Sequence, residues 1–309
     1  MKVLFVAGDP KPERWTAPIR ELLPEAEVYV WDANGPAVDA DYAIVWQPPS
    51  ELFERETKLK AVFNLGAGID GLLEIPNLPP HLPVVRLEDA GMSVQMAEYV
   101  LHQLLEASRG MEIYREQQRE RVWKIHRPIK RSEWPVGIMG LGHIGKRVAC
   151  TLADLDYRVN GWARSDHTLD KVSTFAGMNE LPDFLGSTRV LVNTLPLTDE
   201  TRDILNHQLF SQLMPGAVVI NVGRGEHLVE EDLLKAIDDG HVARASLDVF
   251  RQEPLPADHP FWRQPEITIT PHISARTLRD ATLEQITGKI RTHYHNRPIT
   301  GIVDTSRGY

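Results

Sequence analysis

Short apolar runs recur through the first third of the chain, at residues 3–7, 28–31, 42–46, 60–64 and 84–87, separated by polar stretches of helical or loop character. This alternation predicts parallel strands joined by crossovers. Pro48, Pro49, Pro76, Pro79, Pro80 and Pro83 punctuate the segment and limit the length of its helices. Over residues 93–121 the period changes. Met96, Tyr99, Val100, Leu104, Met111 and Tyr114 recur at helical spacing, which predicts one long helix crossing between two units. A second strand rhythm begins after Glu133, Trp134 and Pro135, at 136–139, 157–162, 190–194, 217–221, 243–248 and 267–270. A closing helix is expected over 278–294, followed by Pro298 and a short apolar run ending in TSRGY that returns to the first unit.

The expected fold is therefore α/β, with two doubly wound parallel-sheet (Rossmann-like) domains and the active site in the cleft between them. The expected boundaries are 1–98 for the first segment of a substrate-binding domain, 99–285 for a dinucleotide-binding domain, and 286–309 for the return. Length agrees, since 309 residues is about twice the usual size of a single domain. Apolar residues make up 42% and charged residues 25%, an ordinary profile for a folded chain.

Charge narrows the partners. The formal net charge is −9, and no basic block stands out, which disfavours nucleic acid and anionic membrane surfaces as partners. The single cysteine, Cys150, excludes an internal disulfide framework and suits a reducing compartment. The opening MKVLFVAGD reads as a first strand rather than a secretory signal, and no apolar run of about 18 residues follows, so the cytoplasm is the expected location.

The segment VGIMGLGHIGKRVA sets Gly140, Gly142 and Gly145 directly after an apolar strand and at the opening of an amphipathic helix. That context is the one a dinucleotide turn needs. Gly140 permits the tight turn, Gly142 admits a pyrophosphate to the backbone, and Gly145 lets helix and strand pack closely. Leu141, His143 and Ile144 complete the turn, and the helix N-terminus faces negative charge. The next strand ends in Ala163, Arg164 and Ser165, where an NAD enzyme would carry an acid. An arginine there pairs with a 2′-phosphate and Ser165 adds a hydrogen bond, so NADPH is favoured, while nearby Asp166 keeps NADH possible.

Four segments, GLGHIG at 140–145, NVGRGEHLVEEDLL at 221–234, DVFRQEPL at 248–255 and TPHIS at 270–274, resemble the NAD(P)-dependent D-2-hydroxyacid dehydrogenases. NLGAGID at 64–70, DAGMSVQMAEYV at 89–100 and the closing TSRGY extend the resemblance over nearly the whole chain. Within the family the chain is most similar to the bacterial glyoxylate/hydroxypyruvate reductases. That likeness implies a cytoplasmic homodimer that prefers NADPH and reduces glyoxylate to glycolate and hydroxypyruvate to D-glycerate. By the same resemblance Arg224 binds the substrate carboxylate and carbonyl, and Glu253 orients His272. The backbone of Ala67 and Gly68, with Gly66 shaping the loop, receives the carboxylate, and Asp248 and Val222 lie against the cofactor.

The chemistry of a 2-oxo acid suits these residue types. A planar guanidinium such as Arg224 holds two oxygens in fixed geometry, and Gly223 and Gly225 beside it let the backbone approach a ligand. A histidine delivers a proton near neutral pH, and a glutamate on its far nitrogen fixes the ring and favours its charged form. Pro254 and Pro271 stiffen the backbone next to Glu253 and His272. Asp248 is read chiefly as a nicotinamide contact, with a turn cap as the other reading. Leu195, Pro196 and Thr198 are expected to line the cofactor, Thr198 being equally suited to a local cap. Trp46, at a strand end, either walls a small polar substrate pocket or simply packs. Met92 and Gln95 are read mainly as core and capping residues, with tuning of hinge closure as the other reading. His227 is read as a solvated loop residue at least as readily as a substrate contact. No metal signature occurs. Open alternatives are a dehydrogenase for D-lactate or longer 2-oxo acids, and a cofactor-binding regulatory protein of the same fold.

Overall fold

The structure, a computed structural model, describes residues 1–304, and the TSRGY motif at 305–309 lies outside the described residues. The chain divides into two compact units, Met1–Gly91 with the chain from Thr277 onward, and Met92–Arg276. The sequence pattern had placed the divisions at 98/99 and 285/286, inside two helices. The observed divisions fall at the helix starts, because each helix packs as one body with the unit it covers. Met92–Arg109 lies against helix His143–Asp154 of its own unit, and Arg279–Tyr294 lies against helix Glu13–Leu22.

The first unit holds β1 (Lys2–Ala7), β2 (Glu27–Val30), β3 (Tyr42–Trp46), β4 (Ala61–Asn64) and β5 (Val84–Val85) in one parallel sheet ordered β2-β1-β3-β4-β5. The central strands are continuous apolar runs because both faces are covered. Val3, Phe5, Ile44 and Phe63 pack on one side with Leu283, Ile286 and Ile290, and Leu4, Val45 and Val62 pack on the other with Leu52 and Leu72. Each such side chain contributes about 1.5–3 kcal/mol on burial. The return of the chain to this unit is observed, since Ile302 bridges Val85 in antiparallel fashion and Val303 N–H donates to the Val84 carbonyl.

The second unit holds β6 (Val136–Met139), β7 (Val159–Ala163), β8 (Val172–Ala176), β9 (Val190–Asn193), β10 (Ala217–Asn221), β11 (Val242–Leu247) and β12 (Ile267–Ile269). They form one parallel sheet ordered β12-β11-β10-β9-β6-β7-β8. The order reverses between β9 and β6, the switch point at which open α/β sheets take ligands beyond the carboxyl ends of their strands. β8 was not predicted. It is a half-exposed edge strand, VSTFA, whose apolar signal is diluted by Ser173 and Thr174. The long helix expected over 93–121 is two helices, Met92–Arg109 and Met111–Glu120. Gly110 adopts φ 58° and ψ 39° between them, a left-handed conformation that ends the first helix.

Candidate active site

In a parallel sheet every strand ends on the same edge, so the segments after β6, β7, β9, β10, β11 and β12 gather on one rim of the second unit. Those segments carry the dinucleotide turn, Arg164, Leu195 to Thr198, Arg224, Asp248 and His272.

After β6 the turn is held as the glycines predict. Gly140 has φ +95°, and a Cβ on Gly145 would lie 1.8 Å from the Gly140 carbonyl oxygen, so neither position tolerates a side chain. A Cβ on Gly142 would meet nothing within 4 Å, so the backbone there faces open space. Helix His143–Asp154 starts at this point with no side-chain cap on its N-terminus. Open backbone at a helix N-terminus of 12 residues fits a dinucleotide pyrophosphate. The Thr194 hydroxyl donates to the carbonyls of Met139 (3.0 Å) and Gly140 (2.9 Å) and ties the end of β9 to the turn. Leu141 is buried under the turn, against Gly161. Arg164 and Ser165 are exposed directly after β7. Leu195 is buried and Pro196 exposed after β9. Thr198 engages Thr201, its N–H donating to the Thr201 hydroxyl at 2.9 Å and the two hydroxyls lying 3.2 Å apart.

The glutamate and histidine that the sequence reading pairs are in contact. Nδ1 of His272 lies 2.8 Å from Oε2 of Glu253, and Oε1 of Glu253 accepts from the Phe250 N–H at 3.0 Å. Both carboxylate oxygens are thus anchored, and the ring's Nε2 is left for a ligand on a half-exposed side chain. His272 has φ +53°, uncommon for a residue with a Cβ. Its N–H donates to the Asp248 carbonyl at 2.8 Å. The Asp248 carboxylate finishes the turn, Oδ1 accepting from the Thr270 hydroxyl (2.6 Å) and Ile273 N–H (2.8 Å), and Oδ2 from Ser274 N–H (2.8 Å). Asp248 has no exposed surface. The structure therefore displays the turn-capping role that the sequence reading ranked second to a nicotinamide contact. Because the Thr270 hydroxyl donates to a carboxylate, Tyr99, 2.7 Å away, is the donor to Thr270. Burial pushes the Tyr99 hydroxyl up to about 12, so it keeps that proton.

Around Arg224 the glycines serve packing rather than ligand approach, a correction to the sequence reading. A Cβ on Gly225 would lie 1.9 Å from the Phe250 carbonyl carbon, and one on Gly223 would lie 2.8 Å from Asn193 Nδ2. The arginine loop thus sits directly on the backbone that holds Glu253. Arg224 is half-buried, and its Nη1 donates to the Gly223 carbonyl at 2.8 Å. His227 is not solvated. It is completely buried, with Nδ1 3.0 Å from the Arg224 N–H and 2.8 Å from Asn193 Nδ2, and Nε2 3.2 Å from the Pro196 carbonyl. Asn193 and Asn221, both fully buried, close the cluster with a 2.9 Å bond, and Asn221 Nδ2 donates to the Arg224 carbonyl at 3.0 Å. These two asparagines were missed. The available signal was an amide ending each of two otherwise apolar strands, VLVN and AVVIN.

In the first unit, Asn64 ends β4 and its buried Nδ2 donates to the carbonyls of Gly66 (3.1 Å) and Gly68 (2.7 Å). Asn64 thus holds two carbonyls of the loop at once. Trp46 at the end of β3 is 45% exposed, and a Cβ on Gly66 would lie 2.3 Å from its ring. The predicted carboxylate loop and Trp46 are therefore neighbours.

Residues 101–274 match the family model described as D-isomer specific 2-hydroxyacid dehydrogenase, NAD binding domain. The chain belongs to the D-isomer specific 2-hydroxyacid dehydrogenase family. Glyoxylate/hydroxypyruvate reductase A of Yersinia enterocolitica is 43% identical to this dehydrogenase over 314 aligned positions, covering all of both chains. The protein of that name from Photorhabdus laumondii is 42% identical, again over the full length of both. Among solved structures, a D-isomer specific 2-hydroxyacid dehydrogenase from Xanthobacter autotrophicus Py2 in complex with NADPH and MES matches with a TM-score of 0.94 at 36% identity, covering 100% of this chain and 99% of that one. An NADPH-dependent glyoxylate/hydroxypyruvate reductase from Sinorhizobium meliloti, in complex with NADP and sulfate, matches with a TM-score of 0.92 at 35% identity and the same coverage. Among the described residues of this dehydrogenase, no helix is long and apolar enough to cross a membrane, and no cluster of His, Cys, Asp or Glu is arranged to hold a metal ion.

Proposed function

We propose that this dehydrogenase reduces glyoxylate to glycolate and hydroxypyruvate to D-glycerate, with NADPH preferred over NADH. The observation that carries the reading is the Glu253–His272 pair at 2.8 Å, standing on the same sheet rim as Arg224 and the open dinucleotide turn. Relatives alike over their whole length carry the glyoxylate/hydroxypyruvate reductase name, and two of the similar structures hold NADPH or NADP.

In this reading Gly140 to Gly145 and the N-terminus of the helix that follows hold the pyrophosphate, Arg164 and Ser165 hold the 2′-phosphate, and Leu195, Pro196 and Val222 line the nucleotide. The bound cofactor supplies the hydride. Arg224 grips the carboxylate and carbonyl oxygen of the 2-oxo acid, and the backbone of Ala67 and Gly68 takes the carboxylate. His272 Nε2 donates a proton to the carbonyl oxygen as negative charge develops there, while Glu253 holds Nδ1–H and steadies the imidazolium. Trp46 crowds the side-chain end of the substrate and favours small 2-oxo acids.

The assay crosses NADPH and NADH with glyoxylate, hydroxypyruvate, pyruvate and a bulky 2-oxo acid. Turnover is expected with the first two acids and faster with NADPH; no turnover with any pair overturns the reading. We also infer a cytoplasmic homodimer. The one cysteine and the nicotinamide cofactor suit the cytoplasm. An exposed apolar set, Ile113, Val122, Trp123 (97% exposed) and Ile125, supports self-association through the 111–125 segment. Light scattering should find a dimer that Trp123→Asp converts to a monomer.

A further inference from the structure

We propose that His227 is a positioning residue that sets both binding loops of the reaction at once, the arginine loop through Nδ1 and the Leu195–Thr198 loop through Nε2. The inference rests on the reading of Arg224 as the carboxylate clamp.

The tautomer follows from the partners. A backbone N–H can only donate, so the 3.0 Å contact from Arg224 N–H makes Nδ1 an acceptor. The Asn193 amide nitrogen, 2.8 Å from Nδ1, is a donor as well, and it also donates to Asn221 Oδ1 at 2.9 Å. The ring proton therefore sits on Nε2, which faces the Pro196 carbonyl at 3.2 Å. The ring is completely buried, so protein groups such as these take the place of water around it.

Each contact lands on a segment with a separate task. The Arg224 N–H belongs to the residue whose side chain grips the 2-oxo acid, and Asn221 fixes the carbonyl of that same residue at 3.0 Å. Arg224 is thus held by both of its peptide groups, in an extended conformation of φ −139° and ψ 155° that sets the direction of its side chain. The Pro196 carbonyl belongs to the segment that follows β9, which the proposed function assigns to the cofactor. Asn193 joins the two sides, since its Oδ1 accepts from Leu195 N–H at 3.2 Å while its Nδ2 serves His227 and Asn221. Gly223 is required because a Cβ there would meet Nδ1 of His227 at 2.9 Å.

Two substitutions separate the ties. An asparagine places an amide oxygen where Nδ1 stands and has nothing at Nε2, whereas a glutamine places an amide N–H where Nε2 stands and leaves the Arg224 N–H without its acceptor. In steady-state assays, His227→Asn is expected to raise the KM for NADPH about fivefold and to keep the KM for glyoxylate within about twofold of the parent. His227→Gln is expected to raise the KM for glyoxylate about tenfold and leave that for NADPH nearly unchanged. Equal shifts of both constants in both variants, or no shift in either, overturn the proposal.

Arg224→Lys is measured in parallel. If it raises the KM for glyoxylate while the His227 pair shows no crossed pattern, this inference falls and the clamp reading stands. If Arg224→Lys leaves that KM unchanged, the clamp reading falls and takes the inference with it. Should either His227 variant fail to fold, ring-nitrogen NMR on the parent decides. The buried histidine ring that exchanges slowly in D2O must carry its proton on Nε2, and a proton on Nδ1 overturns the proposal.

Discussion

In the five-stranded unit a single buried amide at a strand end, Asn64 after β4, bends one loop by drawing in the carbonyls of Gly66 and Gly68. In the seven-stranded unit the device recurs on neighbouring strands. Asn193 ends β9, Asn221 ends β10, and Asp248 follows β11, all fully buried, and each satisfies the backbone of the loop beyond it. Both sheets are parallel and covered on two faces, so architecture does not distinguish them. The number of polar strand ends does. One tied loop can present N–H groups to an anion; three, joined through His227 and the Phe250 backbone, can hold a guanidinium and an imidazole in register.

This contrast orders the expected effects. The largest belongs to the side chain that the seven-stranded rim exists to hold. In the proposed function His272→Asn removes the proton donor, and it should lower kcat for glyoxylate reduction by about a thousandfold, with the KM for NADPH little changed. A loss smaller than about tenfold would mean that the proton comes from another group. In the other unit, Asn64→Ala releases the carbonyls of Gly66 and Gly68. The KM for glyoxylate should rise about tenfold while the KM for NADPH stays put. If both constants were to move together, the loop would be a structural feature and not a carboxylate site.

The smallest effect concerns stability in the five-stranded unit. Burial raises the Glu88 carboxyl, but its bonds to Lys289 and Thr300 outweigh that and hold it below the usual glutamate range. A depressed folded-state value stabilises above the unfolded value near 4.5, and that stabilisation is lost as pH falls through the folded value. The Glu88 side chain is 39% exposed, which limits the effect to about 0.5 kcal/mol. Glu88→Gln should therefore melt slightly lower than the parent at pH 7, by about 1–2 °C, and the two curves should converge in acid. A gap that widened below pH 4 would have the wrong sign.

What could be read along the chain was what repeats locally. Runs such as FVA at the end of β1 or VVIN in β10 announce buried parallel strands without any partner being known, and the spacing of Gly140, Gly142 and Gly145 announces its own turn. Glu253 and His272 stand 19 positions apart and needed the resemblance before they could be paired. The remainder depended on distant partners. His227 is 34 positions from Asn193, so nothing beside it indicated that it was buried rather than solvated. Gly225 looked like a glycine kept for a ligand, although its neighbour is the Phe250 backbone. Asp248 carried a family expectation of cofactor contact, and only the fold shows its carboxylate accepting from Thr270, Ile273 and Ser274.

The central claim is that His272 delivers the proton while Glu253 holds and aims its ring. The kcat for glyoxylate reduction and the KM for NADPH, measured for the parent and for Glu253→Gln, test it most directly. Without the carboxylate the ring loses the acceptor that orients it, so kcat should fall about a hundredfold while the KM for NADPH stays within about twofold of the parent. Equal kcat values for the two proteins would contradict the account.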